Sequence, residues 1–267
     1  MVALGTPGLL GFLYLVGKRA TLWSVGARRV GTDEAAGLHA IASRLARQAD
    51  IEAPDIAVSH TDVPNAFTVG RSPSNSTIVV TTGLLDVLDR DEVEAVLAHE
   101  LAHIKHRDVA VMSVASLLPT ISLFIASFSL HLVRAFVDVA KQSLRAGVVT
   151  LFLVLLSLPF FVVSGLFWLA SALLSHIIGR YREYAADRGA VRITGNAAEL
   201  ARALKTLEAE IEGTPTEDLR ELDGAAALSV VPLSTQLGLR TPISHPPTEK
   251  RIERLRAMEA TLEGSTN

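Results

Sequence analysis

Three residues of this chain stand in a pattern that can do chemistry on a metal: His99, Glu100 and His103 spell H-E-x-x-H. Residues four apart share one face of a helix, so both imidazoles can reach a single ion. Glu100 leans over the same ground and can take a proton from a water that the metal activates. The pattern alone is ambiguous, because at average residue usage it arises by chance in roughly one chain of this length in a hundred. A histidine pair on an ordinary helix is the competing reading, and further ligands must decide.

Those candidates lie some eighty positions downstream, where Glu183 and Asp187 are again four apart. A catalytic zinc typically takes three protein ligands and keeps an open position. His99, His103 and Glu183 would make such a set, one zinc per chain. Asp187 could then accept a hydrogen bond from a ligand imidazole and fix its tautomer. The alternative is a solvated, charged helix face. His245 stands before two prolines and is pinned in an extended conformation. It is either an oxyanion donor at the cleft or a structural cap. His106, three past His103, lacks the metzincin spacing and reads as a solvated residue of the last turn.

The element that must carry the histidines runs from Asp91 to Asp108, with Asp91 as the expected N-cap and Val93, Val96, Leu97, Leu101 and Ile104 as an apolar stripe. Before it, Thr32–Asp50 reads as an amphipathic helix capped by Thr32. Strand-like runs follow at Ile56–Ser59, Ala66–Val69 and Thr77–Thr81, separated by turn residues. Such a strand either binds an extended peptide by main-chain pairing or only completes a sheet. After the acidic pair, Asn196–Glu212 reads as a helix and Gly213–Leu239 as a mobile loop. Ser244–Ile252 makes a rigid turn into a last amphipathic helix.

Between the two halves lie Val109–Val133 and Gly147–Ile178, both without Asp, Glu, Lys or Arg. Each is long enough to cross a bilayer. Met1–Gly17 is apolar, broken by glycines and followed by Lys18 and Arg19, which suits a marginal anchor rather than a cleaved signal. Arg134, Lys141 and Arg145 with Asp138 lie between the spans. Lys105, Arg107, Arg180, Arg182 and Arg188 lie outside them, a bias that puts the metal helix in the cytoplasm. The 267 residues are 49% hydrophobic with a net charge of −3, which fits a membrane protein and gives no sign of a nucleic-acid partner. The absence of cysteine excludes thiolate ligands and a cysteine nucleophile. The expected fold is mainly α with a small β-sheet, an α+β zincin-type catalytic domain plus a transmembrane helical hairpin, multi-pass in the cell membrane. The expected division is an anchor at 1–17, catalytic halves at 18–108 and 179–267, and two spans within 109–178.

Taken together, P-N-A-F at Pro64–Phe67, H-E-L-A-H-I-K-H-R-D at His99–Asp108, E-Y-A-A-D at Glu183–Asp187 and S-H-P-P-T-E-K-R-I at Ser244–Ile252 resemble the HtpX-like membrane zinc metallopeptidases, relatives of the CAAX prenyl proteases. The resemblance covers Thr32 to the C-terminus, in order. It implies a gluzincin endopeptidase with His99, His103 and Glu183 on zinc and Glu100 as base, its site facing the cytoplasm. The implied substrates are proteins or peptides, above all damaged or misfolded membrane proteins. The family commonly begins with two hydrophobic spans where this chain offers one short run. Three other readings compete. Prenyl-protein processing would use the same chemistry but calls for more spans around a chamber. An intramembrane protease is disfavoured by the charges flanking the histidines. A scaffold with a structural metal site would have no need of Glu100.

Overall fold

The computed structural model describes residues 18–70, 72–115, 117–140, 144–213 and 246–265. The expected anchor at 1–17, most of the Gly213–Leu239 loop and His245 lie outside them. The chain divides into two compact units, one formed by Met1–Ala110 with Gly179–Asn267 and the other by Val111–Ile178.

In the first unit the described order is β1 (Ala27–Arg29), α1 (Ala36–Gln48), β2 (Asp55–Ser59), β3 (Ala66–Gly70), β4 (Ser76–Thr81), α2 (Thr82–Val87) and α3 (Arg90–Lys105), the H-E-x-x-H helix. The sheet order is β1-β2-β4-β3: β2 and β4 run parallel, while β1 and β3 are antiparallel edge strands. β1 is a short piece of A-R-R with two exposed arginines, so no hydrophobic alternation announces it. Helix α3 packs against β3 and β4 on one side and against α1 on another.

Two expected helix starts move. The N-cap of α3 is Asp89, not Asp91: its side chain accepts from Asp91 N and Glu92 N, each at 2.9 Å, while Glu92 returns a bond to Asp89 N. Together these bonds satisfy three backbone donors, which a lone cap at Asp91 would not. Likewise α1 starts after Ala35 with no side-chain cap, since Gly31 and Glu34 turn the chain beyond Thr32.

From Ala95 to Ile104 every residue of α3 is buried, so the helix is central and not merely amphipathic. Ala95, Ala98 and Ala102 let neighbours approach on all sides, and the polar groups inside must find partners. At its end His106 is the C-cap and Arg107 takes φ 56°, an αL step that normally favours glycine. The chain thereby turns back on itself, and Asp108 is delivered to the ring it has just passed.

The second unit holds most of α4 (Asp108–Ala115), α5 (Leu117–Ala140) and the start of α6, which runs unbroken from Leu144 to Thr194. Among the described residues one helix, Gly147–Thr194, is long and apolar enough to cross a membrane; 12% of its apolar window is buried, which is not how a soluble core helix behaves. Phe124 and Phe128 of α5 and Phe152, Phe160 and Leu166 of α6 are exposed, while Thr150, Ser164 and Ser171 are buried on one seam at heptad spacing. The multi-pass expectation thus rests on two runs, of which one meets the criterion for a span.

α6 re-enters the first unit at Gly179 carrying Glu183 and Asp187. It is followed by α7 (Ala198–Gly213) and α8 (Thr248–Ser265), with α7 packed on both α3 and α8.

Candidate active site

The structure brings His99, Glu100, His103, Glu183 and Asp187 into one buried cluster. The Nε2 atoms of the two histidines face each other at 3.1 Å, with the rings nearly perpendicular at 88°. Glu183 closes the triangle, Oε2 at 3.6 Å from His99 Nε2 and Oε1 at 3.7 Å from His103 Nε2. One carboxylate oxygen of Glu100 lies within 4.8 Å of the ligand nitrogens of both rings.

Each histidine is held from behind by a carboxylate. His99 Nδ1 lies 3.1 Å from Asp187 and His103 Nδ1 2.6 Å from Asp108. In the neutral rings Nδ1–H donates to these oxygens, and both Nε2 lone pairs are presented to the same point. Two imidazoles and a carboxylate are a donor set suited to zinc or a similar divalent ion, and the site fits one.

Arg251, fully buried at the first turn of α8, ties the cluster together. It grips Asp187 through Nε at 3.0 Å and Nη2 at 2.6 Å, a bidentate pair, and its Nη1 lies 3.6 Å from Glu183. Nη2 also lies 3.4 Å from His99 Nε2. Burial disfavours the Asp187 carboxylate, yet the Arg251 charge and the His99 hydrogen bond hold it below the usual range. Burial likewise favours neutral His99, but Asp187 and Glu183 prevail and push it up to about 9. Asp108 is held low in the same way, by His103 and by Arg182, whose Nε is 3.2 Å away.

Sequence reasoning did not find Arg251, Asp108, Arg182 or Thr68, which donates to Glu100 Oε2 at 2.8 Å. Arg251 looks like one more charge in E-K-R on a solvated helix. Its only signal is its place in the Ser244–Ile252 motif. Asp108 is five residues past His103, outside helical reach, and becomes a neighbour only through the αL turn at Arg107. The expected role of His106 agrees with its exposed position past the helix end, where burial of part of the ring lowers its pKa.

Gly189 explains how α6 can lie so close to α3. A Cβ placed there would meet Ala102 Cβ at 2.6 Å. The helices that carry the two histidines and Glu183 are therefore in contact where neither carries more than a methyl group.

A helix–sheet unit whose central helix and a second helix converge two histidines and a carboxylate defines a metallopeptidase-type centre. The comparisons agree with that class. The model of "Peptidase family M48" matches residues 32–259. "Protease HtpX homolog 2" of Methanosarcina acetivorans is 39% identical over 254 residues, covering 95% of this chain and 83% of that protein. "Protease HtpX homolog" of Moorella thermoacetica is 37% identical over 256 residues, covering 96% and 83%. The crystal structure of Ste24p from S. mikatae superposes with a TM-score of 0.54 at 18% identity, over 95% of this chain and 57% of that one, a likeness of fold. The chain belongs to peptidase family M48 and is a metalloendopeptidase.

Proposed function

We propose that the chain is a membrane-bound zinc endopeptidase in which His99, His103 and Glu183 hold one zinc ion, Glu100 is the general base and Asp187 orients His99. The observation that carries this is the convergence of both Nε2 atoms and the Glu183 carboxylate at 3.1–3.7 Å, each imidazole backed by its own carboxylate. Zinc held there would supply Lewis-acid chemistry, polarising a peptide carbonyl and acidifying a water. Glu100 takes the proton of the attacking water and passes it to the departing amine. The residues around it exclude bulk water, since Glu100 is 2% exposed.

Edge strand β3 offers its outer rim to an extended peptide, which supports protein or peptide substrates. A small cavity beside His103, bordered by Thr68, Gly70, Ile104 and Arg107, has room for about one water. The exposed apolar faces of α5 and α6 support a transmembrane hairpin spanning 109–178, with catalytic halves at 18–108 and 179–267. The basic residues Lys105, Arg107, Arg180, Arg182 and Arg188 support a cytoplasmic side for those halves. A protease site in the same chain as exposed apolar helices suits the turnover of misfolded membrane proteins.

The test is proteolysis of an unfolded protein by detergent-purified wild type and Glu100→Gln, with metal content measured on both. Both are expected to carry about one zinc, while the variant loses roughly 100-fold or more in rate. Full activity in the variant would remove Glu100 as base, and absence of metal from both would remove the ligand set.

A further inference from the structure

We infer that Thr68, on edge strand β3, is a positioning residue for the Glu100 carboxylate, acting through a single hydroxyl hydrogen bond. The inference rests on the reading of Glu100 as general base and adds what aims it. A glutamate has three rotatable bonds and must hold its carboxylate over the reacting water within a fraction of an ångström to be effective. Being on α3 fixes where the Glu100 side chain starts, not where it ends. Among the described residues the group that meets its carboxylate at hydrogen-bond distance is the Thr68 hydroxyl, 2.8 Å from Oε2.

The bland alternative is that Thr68 merely satisfies its own buried hydroxyl. The geometry speaks against that. Thr68 is 5% exposed, and a main-chain acceptor, the carbonyl of Glu100, is also near. That carbonyl is 3.5 Å away, so the one proton goes to the carboxylate. The donor is also stiff. The β3 backbone is fixed by its ladder to β4, with Thr68 opposite Ile78, and a β-branched side chain in a strand has restricted χ1. A rigid hydroxyl on a laddered strand therefore anchors the far end of a flexible acid that its own helix anchors only at the near end. With Oε2 held in this way, the other carboxylate oxygen is left for proton transfer.

Thr68 lies on an edge strand of the sheet, the element proposed above to pair with an extended substrate, so one strand would register both the substrate and the base. A shift of β3 on binding would move both together.

The experiment compares wild type, Thr68→Val, Thr68→Ser and Glu100→Gln as full-length, detergent-purified proteins. One quenched fluorescent peptide that the wild type cleaves is used, with zinc content and melting temperature measured alongside. Valine keeps the shape and removes the donor; serine keeps the donor. Thr68→Val is expected to lower kcat about tenfold with KM and zinc content unchanged, and Thr68→Ser to stay within about twofold of wild type, the usual scale of losing an orienting partner. The inference is overturned if Thr68→Val keeps the wild-type kcat, or if Thr68→Ser falls as far as Thr68→Val, which would mean packing. A rise in KM alone would also overturn it, because the strand would then act on substrate and not on the base. Glu100→Gln separates the two readings. If it is inactive while Thr68→Val is normal, only the Thr68 inference fails; if it is fully active, the base assignment fails as well.

Discussion

Arg251 sets the electrostatics of the site, because a buried guanidinium, its residue 1% exposed, holds Asp187 in two hydrogen bonds and lies beside Glu183. Removing one partner of such a buried pair costs about 3–5 kcal/mol, since the remaining charges are left without a counter-ion. Arg251→Met should cost about that much in metal-free protein, and distinctly less when zinc supplies positive charge to the same carboxylates. Urea midpoints with chelator and with zinc measure the difference; an equal loss in both would show that Arg251 only packs. His99 carries a second prediction. Its pKa is raised from 6.5 to about 9, against burial, by Asp187 and Glu183 and despite Arg251. A raised folded pKa means that the protonated ring stabilises the metal-free fold fully below about 6.5, and that this contribution is lost as pH rises through about 9. On the proposed ligand set metal must displace that proton, so zinc titration near neutrality should release protons, measurable from the dependence of the binding heat on buffer ionisation. A heat that does not change with buffer would contradict it.

At the scale of elements, what matters is how closely α6 can approach α3. Gly189→Ala would put a methyl at 2.6 Å from the Ala102 side chain, which is itself part of the buried face between the two histidines. Neither group can swing away, so the helices must part. Overpacking of this kind costs about 1–3 kcal/mol. Because Glu183 and Asp187 ride on the helix that moves, zinc affinity should fall along with the melting temperature. Loss of stability with unchanged affinity would show that the ligand triangle is not set by this contact. The legibility of these elements in the sequence follows from the same physics. Helix α3 is readable from its acidic start, basic end and spacing of Val93, Val96, Leu97, Leu101 and Ile104, all of which are local. The strands β2, β3 and β4 are readable because they are β-branched runs between turn residues. β1 is not, since A-R-R pairs only because β2 is beside it. Nor are Thr68, Asp108 and Arg251 readable, because each reaches the site through tertiary contact, and a single Thr, Asp or Arg carries no periodicity. The shift of the α3 cap to Asp89 is a milder case. D-R-D-E offers two aspartates, and the capping box with Glu92 selects the first.

For the whole molecule the open question is sidedness. The second unit presents large apolar side chains outward on both α5 and α6, and 12% of the best apolar window is buried. In water such a surface would drive association, so a lipid environment is its natural solvent. A hairpin would place the chain between α5 and α6 on one side of the bilayer and both catalytic halves on the other. On the orientation proposed from Lys105, Arg107, Arg180, Arg182 and Arg188, that other side is the cytoplasm. The protein lends itself to a direct test, because it contains no cysteine and any introduced thiol is unique. Arg134 near the end of α5 and Lys205 on α7 are both exposed and lie outside the metal cluster. In intact cells expressing Arg134→Cys, a membrane-impermeant maleimide should label the protein, whereas Lys205→Cys should react only after lysis. Labelling of Lys205→Cys from outside would reverse the orientation and remove cytoplasmic substrates from consideration. Protection of both positions until lysis would mean that α5 and α6 do not form a transmembrane hairpin, and that the apolar face of the second unit meets the membrane from one side.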